Sequence, residues 1–128
     1  AEKNIKAEWE IKADRLFGDE LLLEMLIRNI FESAFRATDE GGKISTYVYE
    51  NEKNTVFEIT DTGCGMEPEE LEKIKEPFYR VDKSRSRKQG GTGLGVSLCQ
   101  KIVEKHDGSM EYRSKKGVGT TVTVKIPL

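Results

Sequence analysis

The chain has 128 residues, a formal net charge of −2, 36% hydrophobic residues and 34% charged ones. That length supports one domain with a real core and falls short of two ordinary ones. The charge balance argues against a general nucleic-acid binder, no apolar run is long enough for a membrane span, and no signal peptide is visible.

In chain order, residues Asn4 to Ile11 alternate, with Ile5, Ala7, Trp9 and Ile11 on one side, and read as a half-buried strand with Trp9 in the core. Gly18 and Asp19 break the pattern, and Asp19 is placed to cap a helix. From Leu21 to Ala37, residues Leu22, Met25, Leu26, Ile30 and Ala34 recur at helical spacing. Thr38 to Gly42 is a polar turn. Lys43 to Glu50 and Thr55 to Thr60 read as strands joined by a hairpin turn at Asn51 to Asn54. Pro68 to Lys75 predicts a short helix, with proline in its first turn. Tyr79 to Gln89 has almost no apolar content and predicts a loop.

A second long helix is predicted from about Thr92 to Lys105, with Leu94, Leu98, Cys99, Ile102 and Val103 on one stripe and Asp107–Gly108 ending it. Met110 to Ser114 and Thr120 to Ile126 predict two final strands around a turn at Lys115 to Gly119. Strands in hairpin pairs, with helices between, predict an α+β fold. We expect a two-layer α/β sandwich, its mixed and mostly antiparallel sheet covered on one face by three helices.

Four groups of residues carry chemistry. Asn29, Ser33 and Arg36 share a face of the first long helix. They either solvate its edge or meet a polar ligand, since a buried polar line needs partners. "DTGCGM", Asp61 to Met66, follows a strand directly. It is either a plain Asp-Gly turn or a base pocket. As a pocket, the Asp61 carboxylate accepts from an adenine amine, Gly63 and Gly65 admit a flat ring, and Met66 supplies an apolar wall. Gly90, Gly91, Gly93 and Gly95 open the second long helix, with Thr92 as a cap. They form a flexible hinge or a polyphosphate site made from bare amides and the helix dipole. They match neither a P-loop nor a Rossmann fingerprint. Finally, residues 73 to 88 hold seven Lys or Arg against Glu76 and Asp82. Beside an anion-binding turn, such cations can close over a ligand as a lid.

Two cysteines, Cys64 and Cys99, are too few for a disulfide framework; they suit a reducing compartment, and their spacing suggests no metal site. Cys64 has no adjacent base and reads as an inert thiol. His106, the single histidine, lies near the end of the second long helix, where packing or capping is its expected role.

"NIFESAFRAT" (Asn29 to Thr38), "DTGCGM", "EPFYRVDKSRSR" (Glu76 to Arg87) and "GGTGLGVSLCQKIVEKHDG" (Gly90 to Gly108) together resemble, in order, the N, G1, F and G2 boxes of sensor histidine kinases. These boxes mark the catalytic and ATP-binding domain of those kinases, within the GHKL or Bergerat-fold ATPase superfamily. The resemblance implies that residues 1–128 are a single ATP-binding catalytic domain excised from a longer kinase. It implies ATP or ADP and Mg2+ as ligands. Transfer of the γ-phosphoryl to a histidine on the parent's own helical dimerisation domain follows from it, as do a response regulator served through that domain and a homodimeric parent. It implies no nucleic acid and no membrane contact by this domain, in a cytoplasmic setting that leaves a parent anchored in the bacterial inner membrane open.

Residue by residue, the resemblance implies that Asp61 binds the adenine amine and Thr120 supports it through water, with Gly63, Gly65 and Met66 shaping the pocket. Asn29 orients the γ-phosphate or water, and Arg36 contacts phosphate. Arg80 reaches the γ-phosphate, with Lys83, Arg85 and Arg87 as further lid cations and Phe78 and Tyr79 bordering the lid. Gly91, Thr92, Gly93, Leu94 and Gly95 line the phosphates. Asn29 stands where gyrase-type ATPases have a general-base Glu, which favours transfer over hydrolysis. Ser33 departs from the pattern, which has a Mg2+-ligating Asn at that place. A hydroxyl is the weaker ligand. The alternative expectation is therefore a nucleotide-binding regulatory module with impaired catalysis.

Overall fold

The computed structural model describes residues 4–73 and 95–128. In chain order these hold β1 (Lys6–Lys12), α1 (Glu20–Ala37), β2 (Lys43–Glu50), β3 (Asn54–Asp61), α2 (Pro68–Lys73), α3 (Gly95–Lys105), β4 (Ser109–Lys115) and β5 (Gly119–Pro127). The strands form one sheet in the order β1-β2-β3-β5-β4. β1 and β2 run parallel, and every other pair is antiparallel. Parallel neighbours need a crossover, and α1 supplies it.

Local chemistry sets the element ends. Asp19 Oδ1 accepts from Leu22 N at 3.1 Å and caps α1. Thr38 closes that helix, its hydroxyl donating to Ala34 O at 2.7 Å. Asn51 Oδ1 accepts from Lys53 N and Asn54 N at 2.9 and 2.7 Å, which shapes the β2–β3 turn. His106 locks the end of α3 to the start of α1. Its Nδ1 pairs with Ile102 O at 2.8 Å, and its Nε2 accepts from Asp19 N at 3.0 Å. The Ile102 carbonyl can only accept, so the ring proton sits on Nδ1. Both nitrogens are thus engaged in a helix-end lock, which is the packing role expected of it.

The register puts Ile44, Thr46 and Val48 of β2, Phe57, Ile59 and Asp61 of β3, and Val122, Val124 and Ile126 of β5 on one face. The apolar ones pack there against Leu23, Leu26, Ile30 and Ala34 of α1 and Cys99, Ile102 and Val103 of α3. Burial raises the Cys99 thiol to about 12, so it acts as a small core side chain. The opposite face carries Tyr47, Glu58, Glu111 and Arg113, and Tyr47 stacks on Tyr49 at 4.9 Å.

Three expectations need correction. β1 is an edge strand, not a half-buried one, and Trp9 and Ile11 remain 55% and 64% exposed. Their alternation does put them on the helix-covered face, since they pair with Thr46 and Val48. Trp9 meets only the flank of α1, stacking on Phe31 at 5.7 Å. Met25 and Leu98, placed on the apolar stripes by spacing, are exposed. Leu23, absent from the predicted stripe, is buried in place of Met25. The outward side chains of β1 are charged, and Glu8 bridges Lys6 at 3.3 Å and Lys43 at 3.1 Å.

Leu26 is fully buried while Leu21 is exposed. Leu26→Ala should therefore lower unfolding free energy by about 2–5 kcal/mol in urea titration. Leu21→Ala should change it by less than about 0.5 kcal/mol.

Candidate functional site

The site is built where β3 ends. Asp61 is the last residue of that strand and is 6% exposed. Its Oδ1 accepts from Gly63 N at 2.8 Å, so the chain turns back on its own carboxylate. Burial raises the Asp61 carboxyl above the ordinary aspartate value, while the backbone N–H groups of Gly63 and Thr120 pull it down. Thr120 lies directly opposite on β5.

The turn after Asp61 is wedged between two elements. On one side, the Ala37 carbonyl at the end of α1 lies 2.5 Å from where a Gly63 Cβ would stand. On the other, Gly65 has a φ of +67°, and a Cβ there would come within 2.0 Å of the Lys115 carbonyl. Only glycine fits either position. Gly117 N donates to Cys64 O at 2.8 Å, which ties the same turn to the β4–β5 hairpin. Met66 is buried, and its N–H donates to Ser114 Oγ at 2.8 Å.

Ser114 also contacts Gly119 O at 3.0 Å and Thr120 Oγ1 at 2.8 Å. The structure thus brings Asp61, Gly63, Gly65, Met66 and Thr120 together around one turn. It adds Ser114, which the sequence reading had missed. The available signal was the two-residue alternation of Met110, Tyr112 and Ser114, which puts Ser114 on the same face as Thr120.

Asn29, Ser33 and Arg36 lie on α1, whose C-terminal end abuts the turn. Asn29 is half-buried, and its Nδ2 donates to Met25 O at 2.9 Å. Ser33 is exposed, and Arg36 is half-buried in the last helical turn. Gly95 opens α3. Phe78, Tyr79, Arg80, Lys83, Arg85, Arg87, Gly91, Thr92, Gly93 and Leu94 lie outside the described residues. Among the described residues, no cluster of three His, Cys, Asp or Glu side chains is placed to hold a metal.

Residues 18–128 match the family described as histidine kinase-, DNA gyrase B- and HSP90-like ATPase. The chain belongs to that family and carries its ATP-binding fold. It is similar to the sensor protein SrrB of Staphylococcus aureus, with 37% identity over 122 residues. That match covers 95% of this chain and 20% of the relative, so the chain spans about a fifth of the curated relatives it matches. Its fold is similar to that of the catalytic domain of histidine kinase ThkA, with a TM-score of 0.82 and 27% identity over 97% of this chain and 80% of that one. A mycobacterial sensor histidine kinase, MprB, superposes with a TM-score of 0.81 at 25% identity, covering 96% of this chain and 81% of that one.

Because the raised Asp61 value means that the folded state favours the protonated form, folding gains stability at low pH and loses it as pH rises through that value. The parent's unfolding free energy should therefore be greatest below the ordinary aspartate range and fall as pH rises through the raised value, a fall that Asp61→Asn removes, read by urea titration across pH. The same substitution should weaken ADP binding by about 1–3 kcal/mol in calorimetry, because an amide is a poorer match to an amine than a carboxylate.

Proposed function

We propose that this chain is the catalytic domain of a two-component sensor histidine kinase. It would hold ATP and deliver the γ-phosphoryl group to a histidine on a separate helical dimerisation domain. The observation that carries this reading is the buried Asp61 carboxylate, fixed by Gly63 N–H in a turn with Gly63, Gly65, Met66 and Thr120 around it. The names of the relatives, one sensor protein and two histidine kinases, agree with it. In the transfer, an imidazole nitrogen of the acceptor forms the new P–N bond, the bond to the β–γ bridging oxygen breaks, and ADP leaves. The protein's part is positioning and electrostatic stabilisation. Asn29 would orient the phosphate end and Arg36 would supply positive charge, and the sequence pattern assigns Arg80, Lys83, Arg85 and Arg87 as further lid cations. The same pattern assigns Gly91, Thr92, Gly93, Leu94 and Gly95 to the phosphates and Phe78 and Tyr79 to the lid border. Asn29 in place of the Glu that gyrase-type ATPases use favours transfer over hydrolysis.

Mg2+ fits this site weakly. Asn29 Oδ1 and the Ser33 hydroxyl, one helical turn apart, would hold it with two neutral oxygens, leaving the remaining places to water and phosphate. A bound Mg2+ supplies charge neutralisation between the phosphates. The weak ligand set favours a second reading, a regulatory module that binds nucleotide with poor turnover. In the parent, the partners would be its own helical domain, a second copy of the kinase, and a response regulator.

The two readings separate in one experiment. The domain mixed with its helical partner, Mg2+ and labelled ATP should give acid-labile, base-stable phosphohistidine. Measurable ATP binding with no transfer would select the regulatory module. Ser33→Asn should raise ADP affinity about tenfold in the presence of Mg2+ and leave it unchanged in EDTA, read by calorimetry.

A further inference from the structure

The hydrogen bonds around Ser114 can be counted proton by proton. Its hydroxyl has one proton and two lone pairs. The Gly119 carbonyl, 3.0 Å away, can only accept, so it takes the Ser114 proton. The Met66 N–H, 2.8 Å away, can only donate, so it occupies one lone pair. The remaining neighbour, Thr120 Oγ1 at 2.8 Å, must therefore fill the second lone pair with its own proton. Thr120 is left with lone pairs only, on the same sheet face as Asp61 and directly across from it.

We propose that Ser114 is a positioning residue for base selection: by taking the Thr120 proton it makes the Asp61–Thr120 edge acceptor-only, so that the site selects a 6-aminopurine over a 6-oxopurine. This rests on the nucleotide-binding reading of the site. A 6-amino group offers protons to both Asp61 and Thr120, directly or through one water. A 6-oxo group offers lone pairs to lone pairs, and a desolvated acceptor facing acceptors loses its hydrogen bonds outright. The Asp61 carboxylate accepts from Gly63 N–H and stands as a second acceptor on the same face. Thr120 joins it as an acceptor only while Ser114 takes its proton. The Met66 N–H also fixes Ser114 from the turn that shapes the pocket, so the base wall and the selecting hydroxyl are set by one contact.

The test is calorimetric titration of the whole chain with ADP and with inosine diphosphate, both with Mg2+. The wild type should prefer ADP. In Ser114→Ala the Thr120 hydroxyl is free to turn its proton to the 6-oxygen, and the ADP preference should fall about tenfold. Ser114→Thr keeps the hydroxyl and should restore the preference. A purely structural role for Ser114 would weaken both nucleotides together and leave their ratio unchanged, and an unchanged ratio in a folded Ser114→Ala protein overturns the inference. If Ser114→Ala fails to melt cooperatively, Thr120→Val takes its place, with the same expected loss of preference and the same overturning result. A wild type that binds both nucleotides equally overturns this inference alone, whereas one that binds neither overturns the nucleotide reading as well.

Discussion

A carboxylate buried at a strand end is an unfavourable object unless something answers its charge. Here the answer is the chain's own backbone, the Gly63 N–H at 2.8 Å, with the N–H of Thr120 beside it. That hydrogen bond forces the tight turn after β3, and the turn in turn requires small residues. The end of α1 presses on it from one side and the β4–β5 hairpin from the other. Four elements thus converge on the turn that satisfies one aspartate. Burial still raises its carboxyl above the ordinary value, so an amine reaching it would meet a desolvated acceptor.

The sheet makes this convergence rigid. β3 and β5 are central strands, paired over eight residues from Asn54↔Pro127 to Asp61↔Thr120. The Asp61–Thr120 pair therefore sits at the end of the longest ladder among the described residues, not on a free loop. The helix lock works at the opposite end of the molecule's helical layer. His106 reaches across 87 positions of sequence to take the Asp19 N–H, so the orientation of α1 is set at its start by α3 and at its end by the turn. Asn29, Ser33 and Arg36 lie between these two fixed points, so the helix holds all three in a reproducible placement.

Much of this was legible because the signals were local. Asp19 as a cap, the hairpin at Asn51 and the glycine demand of "DTGCGM" each depend on residues within a few positions of one another. What failed was non-local. Alternation assigned Trp9 and Ile11 to the correct face, but coverage depends on where α1 lies across the sheet, and it stops short of the edge strand. Met25 and Leu23 are both compatible with a helical stripe, and only the rotation of α1 against the sheet decides between them. Ser114 was missed for a related reason. Its importance comes from meeting Met66, a residue 48 positions away, and a serine in a strand carries no mark of such a meeting.

The edge position of β1 has a consequence for the domain's behaviour at high concentration. A strand at a sheet margin is a template onto which another chain can add, and an exposed tryptophan and isoleucine make the invitation stronger. The outward row of Lys6, Glu8, Glu10 and Lys12 opposes this, because stacking a like row beside it would force neutralised pairs apart or bring equal charges together. Salt screens such charges, so any resistance to strand addition that Lys6, Glu8, Glu10 and Lys12 provide should weaken with ionic strength more than the fold does.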